Sequence, residues 1–112
     1  MFSTQLQNDV AVFIVNLKSA SKDESDAFKH LLQENIDKGF IKLVIDLSKC
    51  NKIDSTFLSS MVLALQQVNS KSGRINLVVA KSEVQSLIDK TGMNELFLIF
   101  ANRKAAIQNL TE

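Results

Sequence analysis

The feature that most constrains the fold is a series of apolar runs separated by helix-like segments. Residues 40–47 are almost continuously apolar, a pattern typical of strands buried on both faces of a parallel sheet. Residues 10–17, 74–80 and 96–100 also predict strands, because they are rich in β-branched and aromatic side chains. Residues 2–6 predict a short edge strand that pairs with the next strand through a turn at Asn8-Asp9.

Four amphipathic helices are predicted between and after these strands. Ser21 and Glu24 form a capping box at the start of the first helix, and Gly39 is placed to end it. The other helices are predicted from Asp54 or Ser55 to Ser72-Gly73, from a second capping box at Ser82 and Gln85 to Gly92, and over residues 102–110.

The order β-β-α-β-α-β-α-β-α indicates an α/β fold with crossover connections and a mainly parallel sheet. Only the first hairpin is expected to be antiparallel. Partners and ligands of open α/β sheets usually bind at the loops that follow the strands. The loop at residues 48–53 follows a strand, so Asp54 and Ser55 are expected on that rim.

Composition excludes several classes of function. The 112 residues predict a single domain over residues 1–112, and the formal net charge of +1 gives no broad field for nucleic acid or membrane. We find no signal peptide and no segment near the roughly 18 apolar residues of a membrane span. Cys50 is the only cysteine, which suits a reducing compartment, and no glycine-rich phosphate loop is present. We therefore expect a cytoplasmic protein without a cofactor.

Ser55 has two interpretations. It is either a plain helix cap, since serine and aspartate are both preferred there, or a regulatory phosphorylation site. A helix N-terminus tolerates phosphate, which would add roughly −1.5 to −2 charges at this one loop. The formal charge of the chain would then change from +1 to about −1.

The remaining chemically active residues suggest neither catalysis nor a metal site. His30 is predicted on a helix surface, and Asp46 is expected to hold loop backbone by hydrogen bonds. Cys50 lies between lysines that could lower its pKa, but no base accompanies it. Three acidic residues fall in the first turns of the first helix, where the helix dipole explains them: Asp23, Glu24 and Asp26.

Several segments together resemble STAS domains of the anti-sigma factor antagonist type. They are residues 43–47, residues 53–56 with Leu58, residues 73–79, and residues 84–92 with Leu96 and the last strand. The resemblance implies a STAS-like fold and assigns the phosphorylated serine of the family to Ser55, between Asp54 and Thr56. Two family glycines are replaced by Phe57 and Ser59, and an acidic loop residue by Ser21. Phe57 is either a core residue or an aromatic residue that faces the partner.

The resemblance implies a bacterial protein-interaction switch that regulates transcription and is not itself an enzyme. The unmodified chain would bind an anti-sigma factor of the ATP-binding serine kinase type through five residues: Asp54, Ser55, Thr56, Phe57 and Leu58. Phosphorylation of Ser55 would end binding, and a PP2C-type phosphatase would reset the switch. One alternative is a STAS docking module without phosphoregulation in a signalling or transport assembly. Another is a small enzyme or nucleotide-binding domain, for which no convergent set of polar residues is visible.

Overall fold

The computed structural model describes residues 1–111, which form the predicted strands and helices in the predicted order together with two additional short strands. The strands are β1 Phe2–Gln7, β2 Val10–Val15, β3 Ser19–Ala20, β4 Lys42–Asp46, β5 Lys52–Ile53, β6 Arg74–Val78 and β7 Leu98–Phe100. The helices are α1 Lys22–Asp37, α2 Ser55–Asn69, α3 Ser82–Lys90 and α4 Arg103–Thr111, with a short 3-10 turn at Met93–Glu95.

The main sheet has the strand order β1-β2-β4-β6-β7. β1 pairs with β2 in antiparallel fashion, and all other neighbours in this sheet are parallel. The prediction of an α/β fold with one antiparallel hairpin is therefore confirmed. A separate parallel pair, β3 with β5, was not predicted, because two-residue strands are too short to show an alternating pattern.

Helices on both faces of the sheet explain the continuous apolar runs. In β2, Ala11, Phe13 and Val15 lie in the larger core, with buried residues of α1, α2 and α3. The alternate residues Val10, Val12 and Ile14 pack on the other face in a smaller cluster with α4. Since successive side chains of a strand point to opposite faces, a strand covered on both sides needs apolar residues throughout.

Most helix termini follow the sequence signals, but α2 ends at Asn69, three residues before the predicted end at Ser72-Gly73. The Ser21–Glu24 capping box is present, with the Ser21 N–H donating to Glu24 Oε1 over 3.1 Å. The predicted box at Ser82 and Gln85 is wrong. Lys81 occupies the cap position of α3 without a side-chain hydrogen bond, and the Gln85 amide instead donates to Asp89. Because Ser82 is already the first helical residue, its hydroxyl does not act as the N-cap acceptor.

Two glycines end their elements for different reasons. Gly39 has a φ of +100°, the left-handed conformation that a helix commonly adopts just after its end. Gly73 is needed for space, because a Cβ built there would overlap the carbonyl oxygen of Ile41. This close approach allows the Arg74 N–H to donate to the same carbonyl over 2.9 Å, which starts β6 beside β4.

Candidate site for partner binding and phosphorylation

Asp54 joins the starts of two helices. It is the N-cap of α2, and its Oδ1 accepts a hydrogen bond from the Phe57 N–H over 2.9 Å. Its other oxygen, Oδ2, accepts from the N–H of Lys22, the first residue of α1, over 2.8 Å. The first α-helical turn has unpaired N–H groups, so one carboxylate satisfies a donor in each helix. Ser55 is therefore the first residue of α2 rather than its cap.

The short β3–β5 pair brings Asp54 to α1. Ser19 pairs with Lys52 and Ala20 with Ile53, and the Asp54 N–H then donates to the Ala20 carbonyl over 3.1 Å. The loop before α1 and the loop before α2 are thereby held side by side. No periodic pattern in either loop reveals this pairing, which connects residues more than 30 positions apart.

Ser55 and Thr56 lie exposed at the N-terminus of α2. The Ser55 carbonyl accepts a hydrogen bond from Ser59 Oγ over 2.9 Å, which leaves the Ser55 hydroxyl outside that contact. Within residues 1–111, the Ser55 hydroxyl makes no side-chain hydrogen bond, so it is free to meet a modifying enzyme or a partner.

Phe57 and Leu58 do not fit their predicted role as partner contacts. Phe57 is 0% exposed and Leu58 is 1% exposed. The Phe57 ring stacks on Phe28 of α1 with centroids 4.8 Å apart, and Phe2 of β1 completes the cluster. Of the two interpretations of Phe57, the core residue is correct. The helical period that starts at Asp54 turns positions 57 and 58 toward the sheet, while positions 55 and 56 face outward.

Asp46 has the structural role predicted for it and one that was missed. Its Oδ1 accepts from the Ser48 N–H over 2.9 Å, as expected for a carboxylate that holds loop backbone. Its Oδ2 forms an ion pair of 2.9 Å with Arg103 at the start of α4. The Asp46 side chain is only 3% exposed, so this pair anchors α4 against the end of β4. Their separation of 57 positions left no local signal for the contact.

Cys50 differs from the expectation drawn from its lysine neighbours. The side chain is fully buried in the larger core. Burial, and then the negative charge of Asp46, raise the pKa of the Cys50 thiol from 9.0 to about 11. The group is therefore a protonated, shielded thiol near neutral pH and is poorly suited to nucleophilic chemistry.

Alkaline titration should reveal this buried thiol. Because the folded pKa is raised, the unfolded chain loses the Cys50 proton first, and the free energy of unfolding should fall as pH rises from 9.0 to about 11. Denaturant unfolding at several pH values would measure the fall. A Cys50→Ala variant should show a shallower decline over the same range, whereas an identical decline would mean that other groups cause it.

The remaining candidate residues do not form a metal-binding group in the described part of the chain. His30 is exposed on α1, as predicted. Among residues 1–111, no group of three or more histidine, cysteine, aspartate or glutamate side chains is positioned to hold a metal ion. No helix in the same range combines the length and apolar character needed to cross a membrane.

Comparisons with known proteins agree with this architecture. Residues 19–106 match the STAS domain family. A Thermotoga maritima protein provisionally named an anti-sigma factor antagonist is 25% identical over 111 residues, covering 98% of this chain and 97% of the relative. A crystal structure of a similarly named protein from Thermotoga maritima superimposes with a TM-score of 0.92 at 23% identity, over 99% of this chain and 95% of that one.

More distant structures share the fold. The structure of the unphosphorylated anti-sigma factor antagonist SpoIIAA gives a TM-score of 0.77 at 8% identity, over 97% of this chain and 96% of that one. Phosphorylated SpoIIAA gives 0.76 at 12% identity, over 97% of this chain and 98% of that one. A sulfate transporter family protein from Wolinella succinogenes gives 0.76 at 12% identity, over 96% of this chain and 88% of that one. The fold therefore does not separate these functions, but the match over residues 19–106 establishes the family. This chain belongs to the STAS domain family.

Proposed function

We propose that this protein is a cytoplasmic anti-sigma factor antagonist of bacteria that acts as a phosphorylation switch. In its unmodified form it binds an anti-sigma factor of the ATP-binding serine kinase type. The kinase then phosphorylates Ser55 and the complex separates. The protein is a substrate in this cycle rather than a catalyst, and a PP2C-type phosphatase resets it.

The observation that carries the proposal is the exposed Ser55 at the N-terminus of α2, where the Asp54 cap holds the first helical turn. Asp54 holds the first turn of α2 by its bond to the Phe57 N–H, and Ser55 lies exposed on that turn. The relative from Thermotoga maritima, whose name is that of an anti-sigma factor antagonist, aligns over 98% of this chain. The proposed contact surface is now Asp54, Ser55 and Thr56, because Phe57 and Leu58 are buried.

Charge provides the physical basis of release. A phosphate on Ser55 would lie at the positive end of the α2 dipole, which favours the modified form and keeps the domain folded. A partner surface that accepts a neutral hydroxyl would instead have to desolvate a group with roughly −1.5 to −2 charges. Like-charge contacts at an interface cost up to several kcal/mol, which is enough to dissociate a complex.

Phosphorylation should therefore map to Ser55. The full chain would be incubated with ATP and each ATP-binding anti-sigma kinase encoded near its gene, and the product digested and mapped by mass spectrometry. We expect phosphate on Ser55 in the wild type and none in Ser55→Ala, while Thr56→Ala remains a substrate. Absence of phosphate with every such kinase, or phosphate on Thr56 instead, contradicts the assignment of Ser55.

A Ser55→Asp variant should bind the same kinase about tenfold more weakly or worse, a loss of about 1.4 kcal/mol. Isothermal titration calorimetry without ATP would measure the dissociation constant. Gln66→Glu is the matched control, because it adds the same charge to an exposed position near the other end of α2. Equal weakening by both variants would indicate a general charge effect, and unchanged binding by Ser55→Asp would exclude the charge mechanism.

The docking module without phosphoregulation remains the alternative outcome of these experiments. Such a module would use Phe57 as its anchor, and the burial of that ring removes this role. Binding of a kinase without any transfer of phosphate to Ser55 would favour the docking module over the switch.

A further inference from the structure

A cleft of about 600 Å³ lies near the carboxyl ends of β2, β4 and β6. Three lysines line it and define what we call the lysine rim: Lys18, Lys49 and Lys81. The other polar lining residues are uncharged: Asn16, Ser48 and Asn51. Among residues 1–111, no aspartate or glutamate lines this cleft.

Among residues 1–111, the lysines of the rim have no acidic partner inside the cleft; Glu83 lies outside it, in a smaller adjoining pocket that it shares with Asn51 and Lys81. The chain as a whole has 13 basic and 12 acidic residues, so the cluster does not reflect a generally basic protein. Within residues 1–111, the ion pairs are Lys42–Asp9 and Arg103–Asp46, and neither involves the rim. Lys49 Nζ donates only to the neutral Asn16 Oδ1, over 3.0 Å.

The lysine rim is continuous with the proposed contact surface. The Lys18 carbonyl accepts hydrogen bonds from the N–H groups of Asn51 and Lys52, over 2.7 and 3.1 Å. Lys52 begins β5, which leads within two residues to Asp54 and then Ser55. A protein that covers Ser55 therefore has the rim beside it on the same edge of the molecule.

We propose that the lysine rim binds an acidic segment of the protein partner that contacts Ser55. This inference rests on the proposed function for the existence of that partner. Exposed lysines favour a broad carboxylate-bearing protein surface over a small anion. The described residues include no buried side-chain nitrogen or oxygen without a hydrogen-bond partner, so no unpaired buried group marks a small-anion site here. The rim would steer association electrostatically, and a phosphate on Ser55 would repel the same acidic segment.

A titration followed by NMR tests the rim without a kinase. The full-length ¹⁵N-labelled chain would be titrated with a short peptide of alternating glutamate and aspartate, with a lysine peptide and with inorganic phosphate. We expect the acidic peptide to shift the amide signals of residues 16–18, 48–51 and 81 in a saturable way. The shifts should weaken as salt is raised from about 0.01 M to about 1 M, because screening shortens from about 30 Å to about 3 Å.

Matched variants make the test specific. A triple Lys→Gln variant at positions 18, 49 and 81 should lose roughly threefold or more in affinity for the acidic peptide, since each exposed ion pair contributes modestly. The control carries the same change at Lys29, Lys38 and Lys71, which are exposed elsewhere on the surface. It removes the same charge and should retain wild-type affinity.

Three results would overturn the inference: equal losses in both triple variants, no saturable shifts at the rim, or phosphate saturating the rim at lower concentration than the peptide. The last would identify a small-anion site. Failure of Ser55 phosphorylation would leave the peptide titration unaffected, so the two proposals can fail separately. Once a partner has been identified, the rim variant should slow its association in the same salt-dependent way.

Discussion

Replacing Phe57 with alanine is expected to lower the free energy of unfolding by about 3–5 kcal/mol. The ring is fully buried, and it stacks on Phe28 at 4.8 Å between α1 and α2. Its removal deletes apolar contact and leaves a cavity where both helices meet the sheet. Small domains have about 5–15 kcal/mol of stability in total, so the variant should unfold at clearly lower denaturant concentration.

Two controls separate a core role from a binding role for Phe57. Ser55→Ala lies two residues away on the exposed side and should change stability by no more than about 0.5 kcal/mol. Phe57→Leu keeps most of the apolar volume and should recover much of the loss. If Phe57→Ala were as stable as the wild type but bound its partner poorly, Phe57 would be an exposed anchor and would not pack on Phe28.

The second large effect is expected at Asp54. Asp54→Ala removes the cap of α2 and the acceptor of the Lys22 N–H in α1. Loss of a cap costs about 0.5–2 kcal/mol, and the second bond contributes further, although water can reach the Lys22 N–H. We expect a total loss of about 1–3 kcal/mol in denaturant unfolding, with faster hydrogen exchange at the amides of Lys22 and Phe57.

Two further variants make this test more specific, one that keeps part of the hydrogen bonding of Asp54 and one that removes a carboxylate elsewhere. Asp54→Asn retains one acceptor oxygen, so it should preserve one of the two hydrogen bonds and lose roughly half as much stability. Asp26→Ala removes a carboxylate from an exposed position of α1 and should be almost neutral. If Asp54→Ala left the exchange rate of the Lys22 amide unchanged, the link between the two helices would not exist in solution.

Much of the candidate site follows from local patterns. The run at residues 40–47 and the helical spacing after Asp54 predict that a strand leads through a loop into a helix, and therefore that Ser55 lies at the rim of a sheet. Hydrophobic periodicity and capping preferences act over a few residues, so they can be read directly from the chain. The exposure of Ser55 and Thr56 is part of that local pattern.

Other features depend on residues distant in the chain. The start of α1 places the Lys22 N–H in reach of Asp54, which lies 32 positions away, through the short β3–β5 pair. The lysine rim likewise gathers positions 18, 49 and 81 from three separate loops. Neither arrangement has a periodic signature, because each arises only when parallel strands bring their ends to one edge.

The amino-acid sequence by itself thus determined the α/β order, the antiparallel first hairpin and the helix that begins after Asp54, since these depend on short-range patterning. Only the tertiary structure decided that Phe57 is buried against Phe28, that Cys50 is shielded from solvent, and that Asp46 is paired with Arg103. The physical reason is that burial and charge pairing depend on which distant segment packs against a residue, and that is set by the assembled sheet rather than by neighbours in the chain.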